Sequence, residues 1–226
     1  MYTLKRGNLM MDMFKAASAA NERLGLSVCK VLSAHGISAQ YAPDGKAALS
    51  AALVLIPAGA SVGVPGCVTA REIGLLDELA KRGSKVCHHW DPELKPEDRN
   101  ASLLDELTSA WIVMSANAIA ADEGTIVNID GTGNRVGAMS WAPGKLLIIA
   151  GINKIEPDLA SALKRAHDRA TPPNVLRIGG GAPCAELGRC VNCSSPKRVC
   201  RVTALLERPP FGREVHVIIV GEALGY

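Results

Sequence analysis

A chain of 226 residues is long enough to close a substantial core, and one domain over 1–226 is its simplest organisation. Apolar residues make up 48% and aromatics only 4%, which favours an Ala, Val, Leu and Ile core of the parallel α/β kind. The net charge of +3, with no basic face interleaved with aromatics, argues against a nucleic-acid binder, and no run of about 18 apolar residues suggests a membrane span.

Three segments are expected: an N-terminal helical one (1–36), an α/β core (37–178) and a Cys-rich loop with terminal strands (179–226). Residues 1 to 9 read as a loose start that does not resemble a signal peptide, so a cytoplasmic protein is expected. Helical spacing then runs from Leu9 to Ala34, with Gly25 as a candidate break and Gly36 as the stop. Ile37 to Tyr41 reads as a strand, and Pro43-Asp44 opens a helix reaching Leu53 or Leu55. Ser61 to Val64 is a strand that enters the loop Gly63-Val64-Pro65-Gly66-Cys67-Val68-Thr69. Thr69, followed three residues later by Glu72, has the form of a capping box for an amphipathic helix to Lys81. A strand over Lys85 to His88 follows, then a turn at Trp90-Asp91-Pro92 and a helix from Glu97 to Thr108 with Pro96 at its first position. His88 and His89 lie at a strand end on opposite faces; each is more simply a polar strand end than an acid-base group.

The densest signal lies between Trp111 and Lys154. Trp111 to Met114 has no polar residue to mark an outer face, so it reads as a strand buried on both sides. Asp122-Glu123-Gly124 turns the chain into the β-branched run Thr125 to Ile129. Gly131 and Gly133 then bracket Thr132 ahead of a short helix from Asn134 to Met139. A Gly-rich strand-to-helix turn lets a ligand approach the backbone, where free N–H groups attract anions. The candidate carboxylate or phosphate pocket therefore comprises Gly63, Gly66 and Thr69 from one loop and Asn128, Asp130, Gly131, Thr132, Gly133, Asn134 and Arg135 from the other. Both loops are expected to face one cleft at the carboxyl ends of the strands. The structural alternative is a pair of tight connections with a buried Asn and a framework Arg. No residue is singled out as catalytic, and no dinucleotide fingerprint is present.

Beyond the core, Glu156 to Ala170 reads as a helix broken by Thr171-Pro172-Pro173, and Val175 to Ile178 as a short strand. From Gly179 to Val202 the composition is neither helical nor strand-like. This stretch holds Cys184, Cys190, Cys193 and Cys200, spaced C-x5-C-x2-C-x6-C. A C-x2-C pair brings two sulfurs to one metal, and flanking cysteines on flexible loops can complete the shell. Between Arg177 and Arg213 seven basic residues face two acidic ones, a field that favours thiolates. An iron–sulfur cluster suits the irregular spacing better than zinc, which usually uses two C-x2-C knuckles; unligated thiols remain the alternative. Cys29 and Cys87 read as buried fillers, and Cys67 as a weak nucleophile candidate in its loop. Val202 to Leu206 and Val215 to Val220 are expected to pair antiparallel and pin the cysteine loop.

Four stretches taken together resemble the LUD domain family of lactate-utilization proteins: S-V-G-V-P-G-C-V-T-A-R-E-I-G-L, S-A-N-A-I-A-A-D-E-G-T-I-V-N-I-D-G-T-G-N-R-V, G-I-N-K-I-E-P-D-L and P-C-A-E-L-G-R-C-V-N-C-S-S-P-K-R-V-C. The resemblance implies the fold of sugar-phosphate isomerases and CoA transferases, an α/β protein with a mostly parallel sheet and helices on both faces. It also implies a part in oxidising L-lactate to pyruvate, usually with iron–sulfur partner proteins; the cluster expected on the four cysteines is of the 4Fe-4S kind. Ser115-Ala116-Asn117 looks like the Gly-Ala-Asp segment of the isomerases, but Asn117 cannot serve as a general base. Glu123 is the nearest counterpart of a CoA-transferase glutamate, and its turn position explains it more simply. The expected function is thus a subunit of a lactate-oxidising oxidoreductase that binds a small carboxylate or phosphate, with a homodimer among the partners and neither nucleic acid nor membrane. The rival is a non-catalytic assembly or regulatory subunit with a structural zinc or a metal-free loop.

Overall fold

The computed structural model describes residues 6–226, with side chains from Asp12 onward; of the expected loose start at residues 1 to 9, residues 1 to 5 lie outside the described residues, and residues 6 to 9 are corrected to the first turns of a helix. One continuous helix, α1 (Arg6–Ala34), leads into β1 (Ser38–Ala42). Gly25 does not divide α1: a Cβ there would lie 2.5 Å from the Tyr41 ring, so the missing side chain lets the helix seat against β1. Asp44 caps α2 (Gly45–Leu55), accepting from the Ala47 N–H at 2.7 Å. Then come β2 (Ser61–Gly63), α3 (Val68–Glu72), α4 (Leu75–Lys81), β3 (Lys85–Cys87), a 3-10 turn at Pro96–Asp98 and α5 (Arg99–Thr108). The central block supplies β4 (Trp111–Met114), β5 (Ala118–Ala120), β6 (Ile126–Asp130), α6 (Asn134–Ser140) and β7 (Lys145–Gly151). Last come β8 (Ile155–Glu156), α7 (Leu159–Arg165), α8 (Thr171–Arg177), α9 (Pro183–Leu187), β9 (Val202–Leu206) and β10 (Val215–Val220).

Six strands form a parallel sheet in the order β1-β10-β7-β4-β2-β3. Side-chain alternation divides its core in two. Ile112, Met114, Leu146, Ile148, Val217 and Ile219 pack toward α1 and α6, while Trp111, Val113, Leu147, Ile149, Ile218 and Val220 pack toward α2, α3 and α4. Burial on both faces is why β4 and residues 146–151 of β7 are uninterrupted apolar runs, each large side chain contributing about 1.5–3 kcal/mol. A second sheet, β8-β5-β6-β9, covers part of the α1 side and is backed by Ala162 of α7 and Ala166 of the turn after it. Among the described residues no helix is long and apolar enough to cross a membrane.

Four expectations about the elements are corrected. The prolines after Ala170 do not break the helix: a π turn over Ala166–Ala170 joins α7 to α8, and Val175 lies in a helix rather than a strand. Pro172 and Pro173 fall in the first turn of α8, where a missing N–H costs little, and the Thr171 hydroxyl donates to the Ala166 carbonyl at 2.8 Å. The helix expected from Thr69 to Lys81 is split at Gly74, whose φ of 73° closes α3 and opens α4. Finally, β9 and β10 do not pair. β9 runs antiparallel to β6 in the second sheet, whereas β10, apolar except for His216, lies between β1 and β7.

Candidate functional site

At the carboxyl ends of β2 and β4 the chain leaves the parallel sheet in opposite directions, to α3 on one face and to β5 on the other. Such a divergence opens a crevice in α/β sheets. A cavity of about 570 Å³ lies there, with residues 65–69 on one wall and 128–135 on the other. Both Gly-rich loops therefore face one cleft. Arg135 ties them together, donating from Nη1 to the Gly66 carbonyl at 3.5 Å and from Nη2 to the Ile129 carbonyl. Gly66 carries a φ of 86° and lies 3.9 Å, measured from an ideal Cβ, from the Arg135 guanidinium.

The predicted residues divide by role. Thr132, Asn134 and Arg135 line the cavity, as do Gly66 and Gly131. Asp130 and Asn128 also lie on its wall, but their polar groups are spent on the framework. The Asp130 carboxylate accepts from the N–H groups of Gly131, Arg135 and Val136, fixing the start of α6. Asn128 accepts from the Asn117 N–H and donates to the Ser115 carbonyl, while Asn117 accepts from the Ile129 N–H at 2.7 Å. Gly63 is a packing glycine, since a Cβ there would overlap the Glu106 carbonyl of α5. Gly133 adopts φ 94° at the turn into α6. Thr69 does not cap a helix. That role falls to Cys67, whose sulfur accepts from the Ala70 N–H at 3.3 Å, while Glu72 accepts from the Gly225 N–H.

Thr69 instead belongs to a buried polar cluster that the sequence reading missed. Lys154 is only 3% exposed and donates from Nζ to Ser115 Oγ at 2.8 Å and to Thr69 Oγ1 at 3.2 Å. The two hydroxyls lie 3.3 Å apart. Burial, with further repulsion from Arg165 and Arg135, pulls the Lys154 ammonium down to about 8. Backbone at Gly225 closes over the cluster, with space for no Cβ between it, Thr69 and Lys154. The motif Gly151-Ile152-Asn153-Lys154 begins on the last residue of β7, a strand buried from Leu146 to Gly151. A lysine directly after such a strand is the signal that could have found it.

Glu106 is a second missed residue. It is 1% exposed, and one carboxylate oxygen accepts from the His89 N–H and from His89 Nδ1, each at 2.6 Å. The other accepts from Asn134 Nδ2 at 3.2 Å, joining α5 to the head of α6. His89 lines the cavity, whereas His88 stacks on Trp90 with ring centroids 4.5 Å apart.

Seven cationic side chains contribute to the cavity wall: Arg71, Arg99, Arg135, Lys154, Arg177, Arg198 and Arg201. Among the described residues Asp130 is the single acidic side chain there. With so uneven a lining, the cavity favours anions.

The cysteine segment forms the cavity's outer wall through Arg198, Val199, Cys200 and Arg201. Its approach to Gly131 is so close that a Cβ there would lie 2.8 Å from the Val199 carbonyl. Arg198 organises the loop, donating to the carbonyls of Cys200 and Cys193 and to Asn192 Oδ1. Cys190 Sγ accepts from the Asn192 N–H at 3.4 Å, a bond favoured by the positive φ of Asn192. The four thiols share a neighbourhood: burial raises the Cys184 thiol, and Cys193, Cys200 and Cys190 add to the rise. Among the described residues, however, no three His, Cys, Asp or Glu side chains gather closely enough to hold one metal ion. Cys29 and Cys87 are buried, as is Cys67, whose thiol burial keeps protonated.

Fold and site together define an α/β protein with a basic cleft at a divergence of its parallel strands. The LUD domain family model matches residues 27–220, and the chain belongs to that family, which is associated with lactate utilization. A crystal structure of a DUF162 family protein from Deinococcus radiodurans is 14% identical, with a TM-score of 0.49, over 88% of this chain and 98% of that one. No curated protein matches the chain.

Proposed function

We propose that the protein binds a small carboxylate, of the size of lactate or pyruvate, in the basic cleft, and serves as a cytoplasmic component of lactate oxidation. The observation that carries the reading is the charge of the cavity, seven cations against one carboxylate already saturated by backbone N–H groups. Arg177, which also donates to Asn174, and Asn134 and Thr132 from the facing loop supply donors suited to a carboxylate. In this reading Cys184, Cys190, Cys193 and Cys200 hold an iron–sulfur cluster, with zinc as the alternative, and iron–sulfur partner proteins exchange electrons with it. Its support is the cysteine spacing, the shared neighbourhood of the thiols and the surrounding arginines; ligation requires the loop to draw its sulfurs together. When bound, such a cluster would supply one-electron chemistry beside the cleft.

Calorimetric titration with L-lactate and with pyruvate tests the cleft. Binding is expected in the wild type and about tenfold weaker in Arg177→Met, the scale of one lost charge-assisted hydrogen bond. Absence of binding to every small carboxylate tried would end the reading. Anaerobic reconstitution with elemental analysis and electron paramagnetic resonance tests the loop, iron and sulfide being expected. The Arg198 clamp favours a second reading, a metal-free loop held by its guanidinium. Colourless, iron-free protein would select it, and one zinc per chain would select a structural site.

A further inference from the structure

We propose that Ser115 is a nucleophile activated by Lys154, so that the floor of the cleft is a serine–lysine acyl-transfer centre acting on thioesters or esters of anionic carboxylic acids. Ser115 is the first residue beyond β4, half-buried on the cavity wall, while Lys154 stands behind it, nearly sealed from solvent. Their Oγ to Nζ separation of 2.8 Å is that of a direct proton-transfer pair, and Thr69 Oγ1 contacts both atoms. Among the described residues no carboxylate forms an ion pair with Lys154. Its other partners are hydroxyls, which leave the amine free to lose a proton. The ionisable groups that face it are Cys67 and Glu72 from the α3 side, Arg165 from α7 and Arg135 from α6; the two arginines and burial favour the neutral amine, with a midpoint near 8. Serine–lysine pairs are an established variant of the nucleophile and base arrangement.

In the step, the neutral Lys154 amine takes the Ser115 proton as Oγ bonds to the acyl carbon. The bond to the leaving thiolate or alkoxide then breaks, and Lys154 returns the proton to it. Water, activated by the same amine, releases the acid and regenerates Ser115. Cys67 is the competing nucleophile in the cavity, but its thiol is 1% exposed, protonated and occupied in capping α3.

A fluorophosphonate probe incubated with the purified full chain tests this directly, because it reports serine activation whether or not a carboxylate or a metal binds. The expected result is a single adduct that peptide mass spectrometry maps to Ser115. Its formation rate should rise about tenfold per pH unit up to a plateau near 8. Ser115→Ala should abolish the adduct, and both Lys154→Met and Lys154→Arg should slow it at least about 100-fold. Circular dichroism checks that the variants fold, and the wild-type mapping stands without them. An unlabelled Ser115, an adduct on another residue, or a Lys154→Arg variant labelled as fast as the wild type would each overturn the proposal.

Discussion

Lys154 is charged at neutral pH in a place that disfavours charge. In the folded chain its ammonium titrates at about 8, against 10.5 for an exposed lysine. Between these values the unfolded chain binds more protons than the folded one, so stability rises with pH through this window. Below about 8 the folded state carries the full cost, on the order of 3 kcal/mol at most. Cys29, whose thiol burial pushes up to about 11 from 9.0, works the other way: its proton is lost first from the unfolded chain, which lowers stability above 9. The lysine contribution therefore reads most cleanly between pH 8 and 9. Lys154→Met should be at least as stable as the wild type at neutral pH and should lack the rise, as followed by urea unfolding at several pH values. Glu106 presents the opposite case, a buried carboxylate with every oxygen engaged. Glu106→Ala strands the His89 and Asn134 donors, and a loss of roughly 1–3 kcal/mol in chemical denaturation is expected.

At the level of elements, the site depends on short pieces joined by side chains rather than on long helices. α3, α6 and α9 have five, seven and five residues, too short to be stable alone. Asp130 fixes the start of α6, Arg135 ties its first turn to the opposite loop, and Arg198 holds the cysteine loop through two carbonyls. Arg198→Ala releases those carbonyls while leaving the parallel sheet untouched. It should increase limited-proteolysis cleavage between residues 188 and 201 several-fold, with the urea midpoint changed by less than about 1 kcal/mol equivalent. Unchanged protection of that loop would show that the clamp does not order it.

For the whole molecule, the six-stranded sheet is the rigid support, and the candidate cleft lies at the edge where its strands end. A carboxylate present at about 100 times its Kd should stabilise the fold by about 2.7 kcal/mol, a Tm rise of roughly 5 to 10 °C for a chain of this size. The rise should shrink in high salt, as expected for a ligand drawn by clustered arginines. Differential scanning fluorimetry with lactate, pyruvate and chloride controls checks both.

Local sequence was sufficient for features decided by neighbours along the chain: the apolar runs of β4 and β7, the start of α2 at Asp44, the Gly-rich turns and the basic character of the cysteine segment. It also carried the family, because motifs spread from Ser61 to Cys200 agree with one pattern. Tertiary structure decided what depends on distant partners. Lys154 meets Thr69 across 85 positions and Ser115 across 39, while Glu106 meets His89 across 17, and no periodicity records such meetings. Likewise β9 and β10 look alike as short apolar strands, and only the vacant edge of β6 and the gap between β1 and β7 assign them to different sheets. The prolines at 172 and 173 were misleading for the same reason: whether they end a helix depends on where the missing N–H groups fall, and the π turn at Ala166–Ala170 places them where little is lost.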